Sequence, residues 1–493
     1  MTLRQQLVDL LGQIGPGYMT SSAYDTAWLA RLGDISPDLS EPALDWLRAN
    51  QLPDGSWGAP DLEYHHERLV CTLSAMNALA CCGNGHDGER IQRGRDTLDR
   101  WMTGFVNDYA GATIGFELLI PTLLDESQAL GLLNGNVNNL LYQYAAERTV
   151  KLSRLPNSAI SRQVTAAFSS ELVGTNSLGL LNIDSLQETN GSVAYSPAAT
   201  AFFARHVRPG DPAALAYLRD RIGFDGAPDI TPIDVFEIGW TLWNVLQIGP
   251  LDDELRALAA PHLDVLEADW EKGYGVGSCS GCTLIDGDDT ALIFEVLTRF
   301  GRKVDLDAVR RYETEDYFIC FPMEANPSIS TNIHVLGALR AAGLDRHHPS
   351  VQKVLTFLWE SRREGRYWFD KWHSSPYYPT SHATIVLTDY DPEQAERAIR
   401  WILDTQRRDG SWGFYVPTAE ETAYCLQALM AWKRNNHLMP DNAIERGLHW
   451  LAEHSEPPYP MLWIGKSLYC PREVVRGAVL STLYCAREES IAL

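Results

Sequence analysis

Two stretches of the 493-residue chain superpose without a gap: ALDWLRANQLPDGSWG (43–58) and AIRWILDTQRRDGSWG (398–413). Each is a helical pattern closing in Gln-x-x-Asp-Gly-Ser-Trp-Gly, after which another helical pattern resumes. A unit of helix, fixed turn and helix cannot bury its apolar face alone, so such units pack side by side. Trp46 matches Trp401, Trp57 matches Trp412, and a degenerate third copy runs from Phe357 to Trp368. Copies near both ends of one chain imply two related helical barrels. In them Gln51, Asp54, Gly55, Ser56 and Trp57, with Gln406, Asp409, Gly410, Ser411 and Trp412, read as structural staples.

Most of the remaining chain keeps the helical period. Segments 67–82 and 421–434 place apolar residues three and four apart, and Gly, Pro and Asp clusters at 15–17, 208–212 and 347–350 punctuate the helices. The fold class is all-α. With 64 acidic against 41 basic side chains, a net charge of -23 repels phosphate backbones and anionic membrane surfaces, so nucleic-acid binding is excluded. Nine cysteines form no disulfide framework and indicate a reducing cytoplasm; the vicinal pair Cys81 and Cys82 reads as core. Arg4, Gln5, Gln6 and Asp9 interrupt the N-terminus where a secretory signal would be apolar, and no apolar run nears the ~18 residues of a membrane span. A soluble protein is expected.

The strongest chemical signal is CTLIDGDDTALIFEVL (282–297). Asp286, Asp288 and Asp289 stand just ahead of an apolar helix, where a plain capping cluster is the simplest reading. A calcium loop starting at Asp286 fails, because Ala291 and Leu297 fall where Gly and Glu are needed. The chemical reading is a Brønsted acid: crowded carboxylates against an apolar wall cannot all ionise, so one holds a proton near neutral pH. The lone Cys279-x-x-Cys282 pair has no second pair to complete a zinc site.

Several segments together resemble one family, the class II diterpene cyclases, relatives of squalene-hopene cyclase. SSAYDTAWLARL (21–32), DGDDTA (286–291) and WIGKSLY (463–469) match its motifs in order, and TIGFELLIPTLL (113–124), NGSVAYSPAATA (190–201) and FDKWH (369–373) also fit. Within the family the chain resembles the bacterial halimadienyl diphosphate synthases, which carry D-x-D-T-T where this chain has Asp286, Asp288, Asp289 and Thr290.

The resemblance implies two α/α-barrel domains, a β domain of residues 1–19 plus 218–493 and an inserted γ domain of 20–217, without a class I α domain. It implies protonation of geranylgeranyl diphosphate and its cyclisation to a bicyclic diphosphate, left for a downstream class I synthase or phosphatase. Asp288 would donate the proton, with Asp286 and Asp289 tuning it and His334 hydrogen-bonded to it; otherwise His334 is a satisfied core histidine. Lys151 and Lys371 match lysines associated with the diphosphate, and Glu117 falls in the Mg²⁺ region. Copalyl-type plant enzymes place a terminating histidine where this chain has Phe168. A cation with no base there would survive into hydride and methyl shifts, giving a halimane or clerodane skeleton; copalyl diphosphate is the alternative product. A carbohydrate-active (α/α)-barrel would explain the acidic, Trp-rich composition but not the ordered motifs. A helical-repeat scaffold without chemistry is the third reading.

Overall fold

The computed structural model describes residues 2–102, 106–133, 138–223, 225–322, 324 and 326–488. Six helices whose residues are almost all buried, Asp234–Val245, Gly287–Arg299, Ile329–Ala341, Tyr377–Tyr390, Ala419–Arg434 and Arg472–Glu488, contact one another in sequence, and the last returns to the first. They form a closed inner ring. Amphipathic helices such as Pro349–Glu360, Pro392–Asp404 and Asp441–Glu453 lie outside it, each following one inner helix. The outer position between the last and first inner helices is taken by Leu3–Gln13, whose Leu7, Leu10 and Leu11 enter this larger core.

A second ring is inserted after that first helix. Ala23–Ala30, His65–Cys82, Phe116–Ala129, the 3₁₀ segment Thr165–Val173 and Pro197–Phe202 contact one another in a closed circle around the smaller core. The strands at entry and exit pair with each other: Ser21 and Ser22 lie antiparallel to Pro228 and Ala227. Leu215, Tyr217, Leu218 and Ala227 pack in the smaller core, and Ile230 and Ile233 pack in the larger one.

The repeat turns are built alike. Indole Nε1 of Trp57, Trp368 and Trp412 donates to the carbonyls of Leu47, Leu358 and Ile402 at 2.8, 2.9 and 2.7 Å, tying each turn to the helix before it. Their backbone N–H groups donate to Thr72, Thr380 and Thr422 on the helix after it. Gly55 and Gly410 have φ of 97° and 98°, and a Cβ at either would overlap a backbone carbonyl, of Arg93 or Arg446. A further copy escapes the sequence pattern at Gln187–Val193, where Gln187 Nε2 donates to Gly191 O and Val193 N to Thr200 Oγ1, with valine in the tryptophan's place. Of the vicinal cysteines in the last turn of their helix, Cys82 is half-buried and packs against the smaller core, while Cys81 is exposed and is not a core residue. No described helix is long and apolar enough to cross a membrane.

Candidate active site

Asp286 is the N-cap of the helix Gly287–Arg299. Its Oδ1 accepts the backbone N–H groups of Asp288 and Asp289 at 2.9 and 2.8 Å, which holds the next two carboxyls in the first helical turn. Burial, opposed by these hydrogen bonds, raises Asp286 to about 6. Burial, then the charge of Asp286, raises Asp289 well above the usual carboxylate range. Asp288 meets the neighbouring inner helix Ile329–Ala341. Nδ1 of His334 lies 2.6 Å from Asp288 Oδ1, and Ser330 Oγ lies 3.2 Å from Oδ2. Nε2 of His334 is in turn 3.3 Å from Nδ1 of His382, an imidazole that burial holds neutral.

Sequence reasoning missed the support behind this pair. Asp370, in the FDKWH stretch, accepts the backbone N–H groups of Ile329 and Ser330 and so anchors the start of the helix carrying His334. Ser330 Oγ is also 3.0 Å from Asp370 Oδ2, so one hydroxyl serves two carboxyls.

All three aspartates line a cavity of about 340 Å³. Its wall carries aromatic side chains, among them Phe236, Trp240, Trp372, Tyr378 and Trp463 from the larger ring. Ile114, Thr165, Phe168, Glu188, Ala194 and Tyr195 complete it from the smaller one, so the cavity lies between the two domains. Phe236 stacks on Trp240 at 4.2 Å, and the Trp240 edge meets His334 at 5.4 Å. Such faces stabilise a passing cation without reacting with it.

Residues 322–459 match the squalene-hopene cyclase C-terminal domain family. The chain is 46% identical to a type B diterpene cyclase of Mycobacterium tuberculosis, over 96% of this chain and 97% of that protein. The chain belongs to the class II diterpene cyclase family. The cyclase is also 32% identical to an ent-copalyl diphosphate synthase of a Streptomyces species, over 97% and 94% of the two chains. The solved ent-copalyl diphosphate synthase of Streptomyces platensis superposes with a TM-score of 0.79 at 30% identity, covering 98% of the cyclase and 99% of that chain.

The remaining expected residues of the cyclase fall in two Lys–Glu pairs. Lys371 Nζ pairs with Glu324 at 2.7 Å beside Trp372; Glu324 and Trp372 line the cavity. Lys151 pairs with Glu117 at 2.6 Å, both partly exposed, on helices of the smaller ring, with Glu117 three residues after cavity-lining Ile114. Among the described residues no group of three or more His, Cys, Asp or Glu is placed to hold a metal ion.

A second unforeseen feature is a charge cluster buried between the domains. Lys466, from WIGKSLY, is fully buried and donates to Glu171 Oε1 at 3.1 Å, Ser196 Oγ at 2.6 Å and Phe168 O at 3.1 Å, with Asp25 and Asp229 at 3.7 and 3.9 Å. Its ammonium also lies 4.5 Å over the Phe168 ring. Burial alone would lower the Lys466 pKa, but the three carboxylates outweigh it and the group stays charged. A lysine inside an otherwise apolar WIGKSLY was the one signal that could have found this cluster.

Proposed function

We propose that the cyclase protonates the terminal alkene of geranylgeranyl diphosphate through Asp288 and closes it to a bicyclic diterpenyl diphosphate, keeping the diphosphate. The observation carrying this reading is a carboxyl held by His334 and Ser330 at the wall of an aromatic cavity shared by two domains. While Asp288 is protonated, Ser330 gives its proton to Asp370. Once Asp288 has protonated the alkene, the Ser330 hydroxyl turns to the new carboxylate, and the helix N-terminus adds its partial positive charge. Both contacts stabilise the carboxylate that proton transfer to so weak a base leaves behind. Burial disfavours a negative charge on Asp289 beside it.

Lys371 and Lys151 would hold the diphosphate, each giving up part of its pairing with Glu324 or Glu117. Glu117 is the carboxylate here that would hold Mg²⁺ beside the diphosphate. The ion would neutralise diphosphate charge. The product, still a diphosphate, would pass to a class I synthase or a phosphatase. With Phe168 on the wall, the skeleton is the rearranged halimane or clerodane type.

The test is incubation with geranylgeranyl diphosphate and Mg²⁺, phosphatase treatment, and mass analysis of the alcohols. A bicyclic diterpenol supports the reading; untouched geranylgeraniol overturns it.

A further inference from the structure

Cys279-x-x-Cys282 has no part in the chemistry proposed above, yet both cysteines line the cavity. They sit in the loop of residues 276–286, which ends at the Asp286 cap and is closed where Asp286 N donates to Val276 O. Cys282 N donates to the Cys279 carbonyl at 3.2 Å, which makes a turn across the motif. Such a turn holds its end Cα atoms within about 7 Å, close to what a disulfide spans. The sulfurs are near neighbours as well: burial, then contact with the Cys282 side chain, raises the Cys279 thiol well above its ordinary range. Cys279 is buried and Cys282 half-buried. Among the described residues no third His, Cys, Asp or Glu joins them to hold a metal ion.

The same loop ties the two domains together beside the acid. Ser280 N and Gly281 N donate to Asp234 and Asp269 of the larger domain at 2.8 and 2.9 Å. From the other side, Tyr195 OH donates to Ser280 O at 2.8 Å, and Thr283 Oγ1 donates to Glu188 at 2.7 Å. Cys282 Sγ donates to Leu284 O at 3.1 Å, and a Cβ on Gly277 would overlap both of these atoms, so the sulfur fills a fitted seat. Leu284 lines the cavity two positions before Asp286, the cap that holds Asp288 in its helical turn. Drawing the sulfur out of that seat moves the wall next to the acid.

We propose that Cys279 and Cys282 are a redox-active dithiol through which a hydroperoxide slows the cyclase, the effect on turnover resting on the function proposed above. Cys282, the more accessible sulfur, attacks hydrogen peroxide: an S–O bond forms, the O–O bond breaks, and one water leaves behind a sulfenic acid. Cys279 Sγ then attacks that sulfur, the S–S bond forms as the S–O bond breaks, and the Cys279 proton departs in a second water. The two thiols together lose two electrons and the peroxide gains them, so no other oxidant is needed. A small dithiol reductant reverses the change. In the disulfide, Cys282 Sγ has left Leu284 O and the space over Gly277, and the loop that leads into Asp286 is displaced.

The experiment treats wild type and Cys282→Ser with hydrogen peroxide, removes the peroxide, and compares each protein with its own untreated sample by turnover of geranylgeranyl diphosphate and by non-reducing peptide mass mapping. In wild type a peptide with the Cys279–Cys282 disulfide, two hydrogens lighter than the dithiol, should appear. Turnover should fall about tenfold and return with dithiothreitol. Cys282→Ser should keep the rate it had before treatment. Absence of the disulfide peptide overturns the proposal, and so does a disulfide that leaves turnover unchanged. An equal loss in Cys282→Ser would place the effect on another thiol, such as Cys320 beside Asp286, and overturns it too. Should Cys282→Ser fail to fold, Cys279→Ser takes its place under the same expectations. A wild type that never consumes the substrate would sink the proposed function, and the peptide map alone would then decide whether the dithiol closes.

Discussion

Nδ1 of His334 lies 2.6 Å from Oδ1 of Asp288, joining two inner helices of the larger ring through residues 46 positions apart. The contact gives the acid one fixed partner, and it makes the role of Asp288 directly testable. Asp288→Asn preserves size and hydrogen bonding but has no acidic proton. Turnover of geranylgeranyl diphosphate should drop by at least about 100-fold with the melting transition retained. More than about a tenth of wild-type turnover would exclude Asp288 as the donor.

The pH dependence of stability should expose Asp289. Folding raises its pKa well above that of an unfolded aspartate, so the folded chain holds a proton the unfolded chain has lost. Stability from this group is therefore lost as pH rises above about 4, the unfolded pKa. Asp289→Asn removes the penalty. The variant should melt roughly 2–4 °C above wild type at pH 8, with the gap closing toward pH 4; an equal gap at both pH values would contradict the proton assignment.

Lys371→Ala and Lys151→Ala should raise KM for the diphosphate substrate more than they lower kcat, because an anchor far from the reacting alkene binds ground and transition states alike. Glu117→Gln should raise the Mg²⁺ concentration needed for half-maximal rate. Pyrophosphate should not accumulate in any of these assays, and its release at the cyclisation rate would indicate ionisation chemistry.

Phe168→His places a basic ring on the cavity wall where the wild type has an apolar one. If the cation is intercepted there before its shifts are complete, the product should move from a rearranged skeleton toward copalyl diphosphate. Wild type making copalyl diphosphate as its main product would remove the argument from Phe168 and leave Asp288 untouched.

The repeat turns can be tested through stability alone. Gly410→Ala and Gly55→Ala each force a side chain into a left-handed turn against a carbonyl oxygen. Each should destabilise by roughly 1–3 kcal/mol, whereas Gly12→Ala, whose Cβ would meet nothing within 4 Å in the first helix, should be neutral or stabilising. Equal melting temperatures for all three would argue against the turn as a structural staple.

Helical period, caps and the repeated Asp-Gly-Ser-Trp turn are written within stretches of about one helix and its turn, so the all-α rings, the capping role of Asp286 and the acid motif were legible from the sequence. Ser22, ahead of AYDTAW, caps its helix in the same local way. The partners behind the acid were not legible. Asp370 reaches Ser330 across 40 residues, and Lys466 reaches Glu171 and Phe168 across 295 and 298. Only closure of both rings brings such groups together, and burial then shifts their titration: it raises Asp289 well above the usual carboxylate range and Asp229 to about 6. A side chain's identity is local, but its solvation and its partners belong to the assembled fold, and these shift the titration of a buried carboxyl.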